Sequence, residues 1–400
     1  MSASADVGRR DDTPALRPAA NQAARGSSHV RTGREAGIDA LRATLTLLVL
    51  FHHAAITYGA IGGWYYREVP TDDRLETKLL IFFCTVNQAY FMGLFFLLAG
   101  YFTPAGAARH GASPYLKERL LRLGLPLLVY AVAIGPLTIA LAQTAKGRPF
   151  GATLLRLWER GALENGPLWF AQALLIFTLG YLAWRALWPR GRAATPAAFP
   201  SNRALAAAAV ATGLAAFNLR LIWPVGVNAF GLQLGYFASY VVLFAAGCIA
   251  ASPHWLERIP DRQRRLWLNV AWLALPILPA VVLLAPHVPA LQGAAEGGWN
   301  IQALVYAFWE PLVAWGFILA LLQAYQRRFA ALGPIWSALA RRAYAMYIIH
   351  PPVLVAIALA WRDVAAPHLV KFVLTGAATC LACFWIAGLL LRAPWLRKVV

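Results

Sequence analysis

Apolar residues run through this chain in long blocks separated by short polar breaks. Ten blocks stand out, at 38–61, 79–102, 120–143, 167–189, 204–221, 230–251, 266–286, 301–324, 341–361 and 370–392. Most reach the ~20 residues that a helix needs to cross the hydrocarbon core of a bilayer. The fifth is short, rich in Ala and the weakest of the set. The pattern predicts an all-α, polytopic integral membrane protein of about ten transmembrane helices. Residues 1–35 hold no apolar run and are rich in Arg, Ala, Ser and Asp, so they read as a disordered basic tail. No h-region follows their charges, which sets them apart from a signal peptide. The membrane-embedded domain is then 36–392, and 393–400 is a short basic tail. The stretch 221–228, with Trp223-Pro224, predicts a tight turn.

Composition strengthens this picture. Sixty per cent of the residues are hydrophobic and 13% are charged, against about a quarter charged in a soluble domain. No room is left for a large soluble domain. A net charge of +19 raises nucleic acid as a partner. It is rejected, because the basic residues are dispersed among the breaks between apolar blocks. Their distribution carries topology instead. With the N-terminus inside and ten alternating helices, the inner segments hold 25 Lys and Arg and the outer ones 10. That asymmetry predicts both termini cytoplasmic. Cys84, Cys248, Cys380 and Cys383 all lie within apolar blocks. Cys380 and Cys383 form a CxxC on a helix with no second pair, too few ligands for a metal site, so the four read as small core residues.

The first block, GIDALRATLTLLVLFHHAAITYGA at 37–60, keeps polar groups that a lipid-facing helix would not. Asp39 and Arg42 open it, and His52-His53 lie halfway along. Arg42 and His53 are eleven residues apart, which on an α-helix puts them within ~20° of each other and ~16 Å apart in depth. His52 points about a quarter turn away. An imidazole near the bilayer midplane below a guanidinium at the surface reads as a functional site, because ionisable groups are costly there. The segment SPYLKERLLRLGLP reads as a cytoplasmic loop. Its Arg119 and Arg122 share a helix face and serve either as positive-inside anchors or, with Arg42, as a clamp for phosphates.

Other blocks add polar groups. Asn87 and Gln88 read as interhelical hydrogen-bonding amides, and Gly93 and Gly100 allow close helix approach. Trp169 in ENGPLWFAQ fits an interfacial belt or a pocket wall, while Glu164 before it is expected to be solvated. Glu310 sits some nine residues into the eighth block, just before Pro311. Three roles fit it: bonding a histidine, binding a substrate hydroxyl, or satisfying backbone that the proline opens. Tyr347 and His350 share a face of the ninth block. His350 precedes Pro351-Pro352, so it either caps a broken hydrogen-bond ladder or meets substrate.

In this order, these residues resemble the integral-membrane acyltransferase family known as acyltransferase-3. The resemblance spans roughly 36–392. It rests on Asp39, Leu41-Arg42 and His53; on the phrase FFLLAGY at 95–101, with Ala99 where Ser is frequent; on Arg119-x-x-Arg122; on Leu168-Trp169-Phe170; and on Tyr347-x-x-His350-Pro351. The setting of Glu310 and the short loops look closer to the glucan-succinylating branch than to the branch with a fused hydrolase-like domain. The resemblance implies transfer of an acyl group, of acetyl or succinyl type, from cytoplasmic acyl-CoA to a hydroxyl of a cell-envelope glycan or related acceptor, in a bacterial inner membrane. Acyl-CoA is then a donor substrate, with no cofactor tightly bound, and membrane lipids surround the helices. His53 is the expected general base. Arg42, Arg119 and Arg122 hold CoA phosphates or orient the thioester, Asp39 orients Arg42 or caps the helix, and His52, Glu310, Tyr347, His350 and Trp169 are expected at the substrate. Two other readings compete. A proton-coupled transporter would also use a midplane His and Glu310, but matching broken helices in two halves are missing. A haem protein would use His53 and His350 as axial ligands.

Overall fold

The computed structural model describes residues 33–188 and 198–399. The basic tail expected at 1–35 lies outside them up to residue 32. Among the described residues, ten helices are long and apolar enough to cross a membrane, one for each predicted block. They are α1 (Ala36–Thr57), α2 (Leu75–His110), α3 (Ala112–Lys146), α4 (Gly166–Leu187), α5 (Asn202–Ile222), α6 (Leu234–Ala251), α7 (Asp261–Leu284), α8 (Ile301–Arg328), α9 (Pro334–Ala360) and α10 (His368–Leu390). The protein is a multi-pass membrane protein. Ten consecutive crossings put the connections 58–74, 147–165, 223–233, 285–300 and 361–367 at one end, here the loop-rich end. The remaining connections lie at the opposite end.

The bundle is centred on α1 and α8. Of the apolar window of each, 61% is buried, against 22% for α7 on the periphery. The closest pair is α2 with α6. A Cβ on Gly100 would stand 2.1 Å from the Phe244 carbonyl oxygen, and one on Gly247 would stand 2.1 Å from that of Leu97. Each glycine leaves space for the other helix's backbone, the usual way for spanning helices to gain contact.

Two boundaries differ from the sequence expectation. The segment holding Arg119 and Arg122 is not a loop. It continues α3, which starts one residue after α2 ends, with Gly111 (φ 80°) alone between them. Its first turns are too charged to register as an apolar block, but i,i+4 pairing of Glu118 with Arg122 at 3.5 Å suits a helix surface. A further helix, Phe150–Glu159, fills the connection after α3.

The course of α3 follows from its prolines. It widens into π-helical turns at Leu120–Gly124 and Tyr130–Ile134, just before Pro126 and Pro136. A proline lacks the N–H that would bond the carbonyl four residues back, and a spanning helix must find that carbonyl another donor. The Tyr344 hydroxyl donates to the Arg122 carbonyl at 2.9 Å, and Trp158 Nε1 donates to that of Val132 at 2.9 Å. Both replacement donors come from other helices, so each bend is also a docking point.

Candidate active site

On α1, Arg42, Thr46, Val49 and His53 fall on one face, by spacing. The structure buries the middle of that face: Leu45, Thr46 and Val49 are each 5% exposed or less. Arg42 stays half exposed at the opposite end, with Asp39 3.9 Å away. Arg119 donates to the Tyr115 hydroxyl at 2.9 and 2.7 Å, and Arg122 faces Glu118. Each of these arginines is thus engaged on its own helix, and none lines the cavity that reaches His53.

That cavity, of about 1270 Å³, opens between the connections of the loop-rich end and descends along α1 as far as Val49. His52, His53, Trp169 and Tyr347 all line it. His53 Nδ1 lies 2.9 Å from His350 Nε2, and His350 Nδ1 lies 2.7 Å from the Tyr347 carbonyl oxygen. The two imidazoles are nearly coplanar, at 13°. The Trp64 indole lies flat over His53 with centroids 4.1 Å apart, and extends over His350 at 5.8 Å. His52 stacks on Phe91 at 5.0 Å instead. Trp169 stacks on Tyr240 at 5.7 Å, on the cavity wall. The Tyr347 hydroxyl donates to the Pro167 carbonyl, tying α9 to the start of α4.

The loop 58–74 holds Trp64 in place through its own backbone. The N–H groups of Glu68 and Val69 both donate to the Thr57 carbonyl, at 2.9 and 3.2 Å. Arg67 donates to the Ala60 carbonyl, and Thr71 to that of Gly59, each at 2.9 Å. The Glu68 carboxylate pairs with Lys371, which is only 4% exposed. Tyr65 next to the indole donates to Glu164 at 3.4 Å and meets the Tyr130 hydroxyl at 3.1 Å. Burial first, then Tyr130 and Glu164, hold the Tyr65 hydroxyl far above its ordinary pKa, so it remains a donor. Glu164 is therefore not solvated as expected. It is half-buried, lines the cavity and also accepts the Gly166 N–H at 2.8 Å.

The carboxylate of Glu310 is engaged by an arginine and a serine, not by a histidine. It forms a buried ion pair with Arg220, each side chain 1% exposed, and accepts from Ser239 at 3.3 Å. Arg220 also donates to the Gly235 carbonyl at 2.9 Å, and its guanidinium lies 4.5 Å from the Tyr306 ring centre and 5.6 Å from that of Tyr236. Tyr236 and Tyr306 line the cavity, so the pair stiffens the wall from behind.

The sequence reading missed Trp64, Tyr65, Gly166 and Arg220. Arg220 lies in the last turn of the fifth apolar block, where a basic residue reads as a membrane-boundary charge. The run Trp64-Tyr65-Tyr66 in a polar break was the one signal available for the loop. In this structure the direct bond between His53 and His350 leaves no space for a porphyrin between the two rings.

Among known families, the chain matches a family model described as an acyltransferase domain, over residues 35–390, which takes in all ten spanning helices. No curated protein and no solved structure matches it.

Proposed function

Because the chain belongs to the acyltransferase-3 family, and is therefore a membrane-embedded acyltransferase, we propose that it moves an acyl group of acetyl or succinyl type from cytoplasmic acyl-CoA to a hydroxyl of a cell-envelope glycan, with His53 as general base. The observation that carries this reading is the imidazole pair under Trp64, with His53 lining a cavity of about 1270 Å³ open at one end. Such a volume suits a sugar unit rather than a small ion. Aromatic walls with amides and carboxylates at the rim suit a hydroxyl-rich ligand.

His53 Nδ1 is engaged by His350, which leaves Nε2 for the acceptor hydroxyl. Nε2 takes the hydroxyl proton while the oxygen attacks the thioester carbonyl carbon. The tetrahedral intermediate expels the CoA thiolate, and the imidazolium returns the proton to that sulfur. His52 and Gln88, both on the cavity wall, supply polarity for the developing oxyanion. The acceptor enters from the loop-rich end, which faces the periplasm of an inner membrane by the charge asymmetry. The donor binds at the other end, with its phosphates at Arg42, Arg119 and Arg122. The acyl arm then reaches His53 along the face of α1, which requires Leu45, Thr46 and Val49 to part.

Replacing His53 with Ala should lower acyl incorporation into envelope glycans by roughly 10²–10⁴-fold, read by mass spectrometry of those glycans at matched expression. Incorporation at the wild-type level would end the assignment of the base. The mass added in the wild type identifies the acyl group, and the carrier identifies the acceptor.

A further inference from the structure

Pro351 follows His350 inside α9. It has no N–H, so the carbonyl four residues back, that of Tyr347, loses its helical donor. The same defect in α3 is repaired from outside the helix, by Tyr344 and Trp158. In α9 the repair is made by His350, whose Nδ1 is 2.7 Å from the Tyr347 oxygen. A carbonyl oxygen only accepts, so this Nδ1 carries a proton. A neutral imidazole protonated at Nδ1 is an acceptor at Nε2, and that nitrogen is the one 2.9 Å from His53 Nδ1. His53 must then donate from Nδ1, which leaves its Nε2 unprotonated.

We propose that Pro351 is a positioning residue: by freeing the Tyr347 carbonyl it fixes the tautomer of His350, and through it that of His53, so that Nε2 is the basic nitrogen. His350 is fully buried, so water does not compete for either of its nitrogens. The chain of two bonds runs one way, from His53 through His350 to the Tyr347 carbonyl, and each link follows from the chemistry of the one before. His350 therefore does more than mend the helix, and Pro351 does more than bend it. The proposal rests on the reading of His53 as the base, but the tautomer is a property of the resting protein.

The test uses the full-length protein in lipid nanodiscs with ¹⁵N-labelled histidine, and His53→Gln assigns the His53 signals by their loss. The wild type should show a protonated Nδ1 and an unprotonated Nε2 at His53. Pro351→Ala returns an N–H to the Tyr347 carbonyl and should give His53 signals of mixed tautomers, with acyl incorporation lowered roughly 10²-fold. Pro352→Ala should leave the His53 signals as in the wild type. A His53 protonated at Nε2 in the wild type, or unchanged signals in Pro351→Ala, overturns the proposal. Should Pro351→Ala not fold, His350→Gln replaces it, since its amide oxygen can still accept from His53. It should retain more incorporation than His350→Leu, and equal loss in the two overturns the proposal. The expected tautomer together with an active His53→Ala variant would sink only the base assignment.

Discussion

Gly166 shows how much of the site hangs on one missing side chain. Its φ is 42°, and a Cβ there would stand 2.1 Å from the Tyr65 hydroxyl and 2.8 Å from Tyr130. Gly166→Ala should destabilise the protein by about 1–2 kcal/mol from backbone strain alone, read as a lowered Tm in detergent. Displacement of Tyr65 should also lower acyl incorporation. An Ala variant with wild-type Tm and activity would show that the Tyr65–Glu164–Tyr130 contacts tolerate a different loop. At this scale, His53 and His350 were legible because an imidazole inside an apolar block has few bland explanations. Trp64 was not, since an aromatic residue at a membrane boundary usually anchors the interface. Its role depends on where the backbone of 58–74 folds, and that is set by the contacts of Glu68 and Lys371, 303 positions apart.

At the scale of helices, the buried Arg220–Glu310 pair joins α5 to α8 behind the cavity wall. Removing one partner strands the other charge in an apolar interior. Arg220→Met alone should cost about 3–5 kcal/mol, read by thermal unfolding in detergent. The double variant Arg220→Met, Glu310→Met should recover most of that loss, since no charge is left uncompensated. A double variant as unstable as the single one would mean that the pair's ionic character itself is required. The ten helices were legible from block length, because a lipid interior admits so few alternatives. Partners were not. Glu310 was visible as an expensive carboxylate, but nothing in its own block points to a guanidinium 90 positions earlier. The prolines of α3 announce bends, whereas the π-helical turns and their donors Tyr344 and Trp158 depend on which helices pack alongside.

For the molecule as a whole, the proposed orientation makes the loop-rich end external. In a variant lacking the native cysteines, Gly63→Cys should react with a membrane-impermeant maleimide on intact cells. Ser337→Cys, in the first turns of α9 at the opposite end, should react only after the membrane is opened. The reverse pattern would turn the cavity toward the cytosol and remove the two-sided route for donor and acceptor.

The packed stretch of α1 between Arg42 and His53 has an electrical consequence. Water can fill the cavity to the depth of Val49, so most of the transmembrane voltage falls across the dry layer formed by Leu45, Thr46 and their neighbours. A charge carried through the full drop does work of about 2.3 kcal/mol per 100 mV. On the proposed route, with the donor coming from the side of Arg42, an acetyl arm passes that layer without electrical work, whereas a succinyl arm takes its carboxylate through the steepest part of the field. The rate with a charged acyl group would therefore depend on how strongly the cell energises its membrane, and the rate with a neutral one would not.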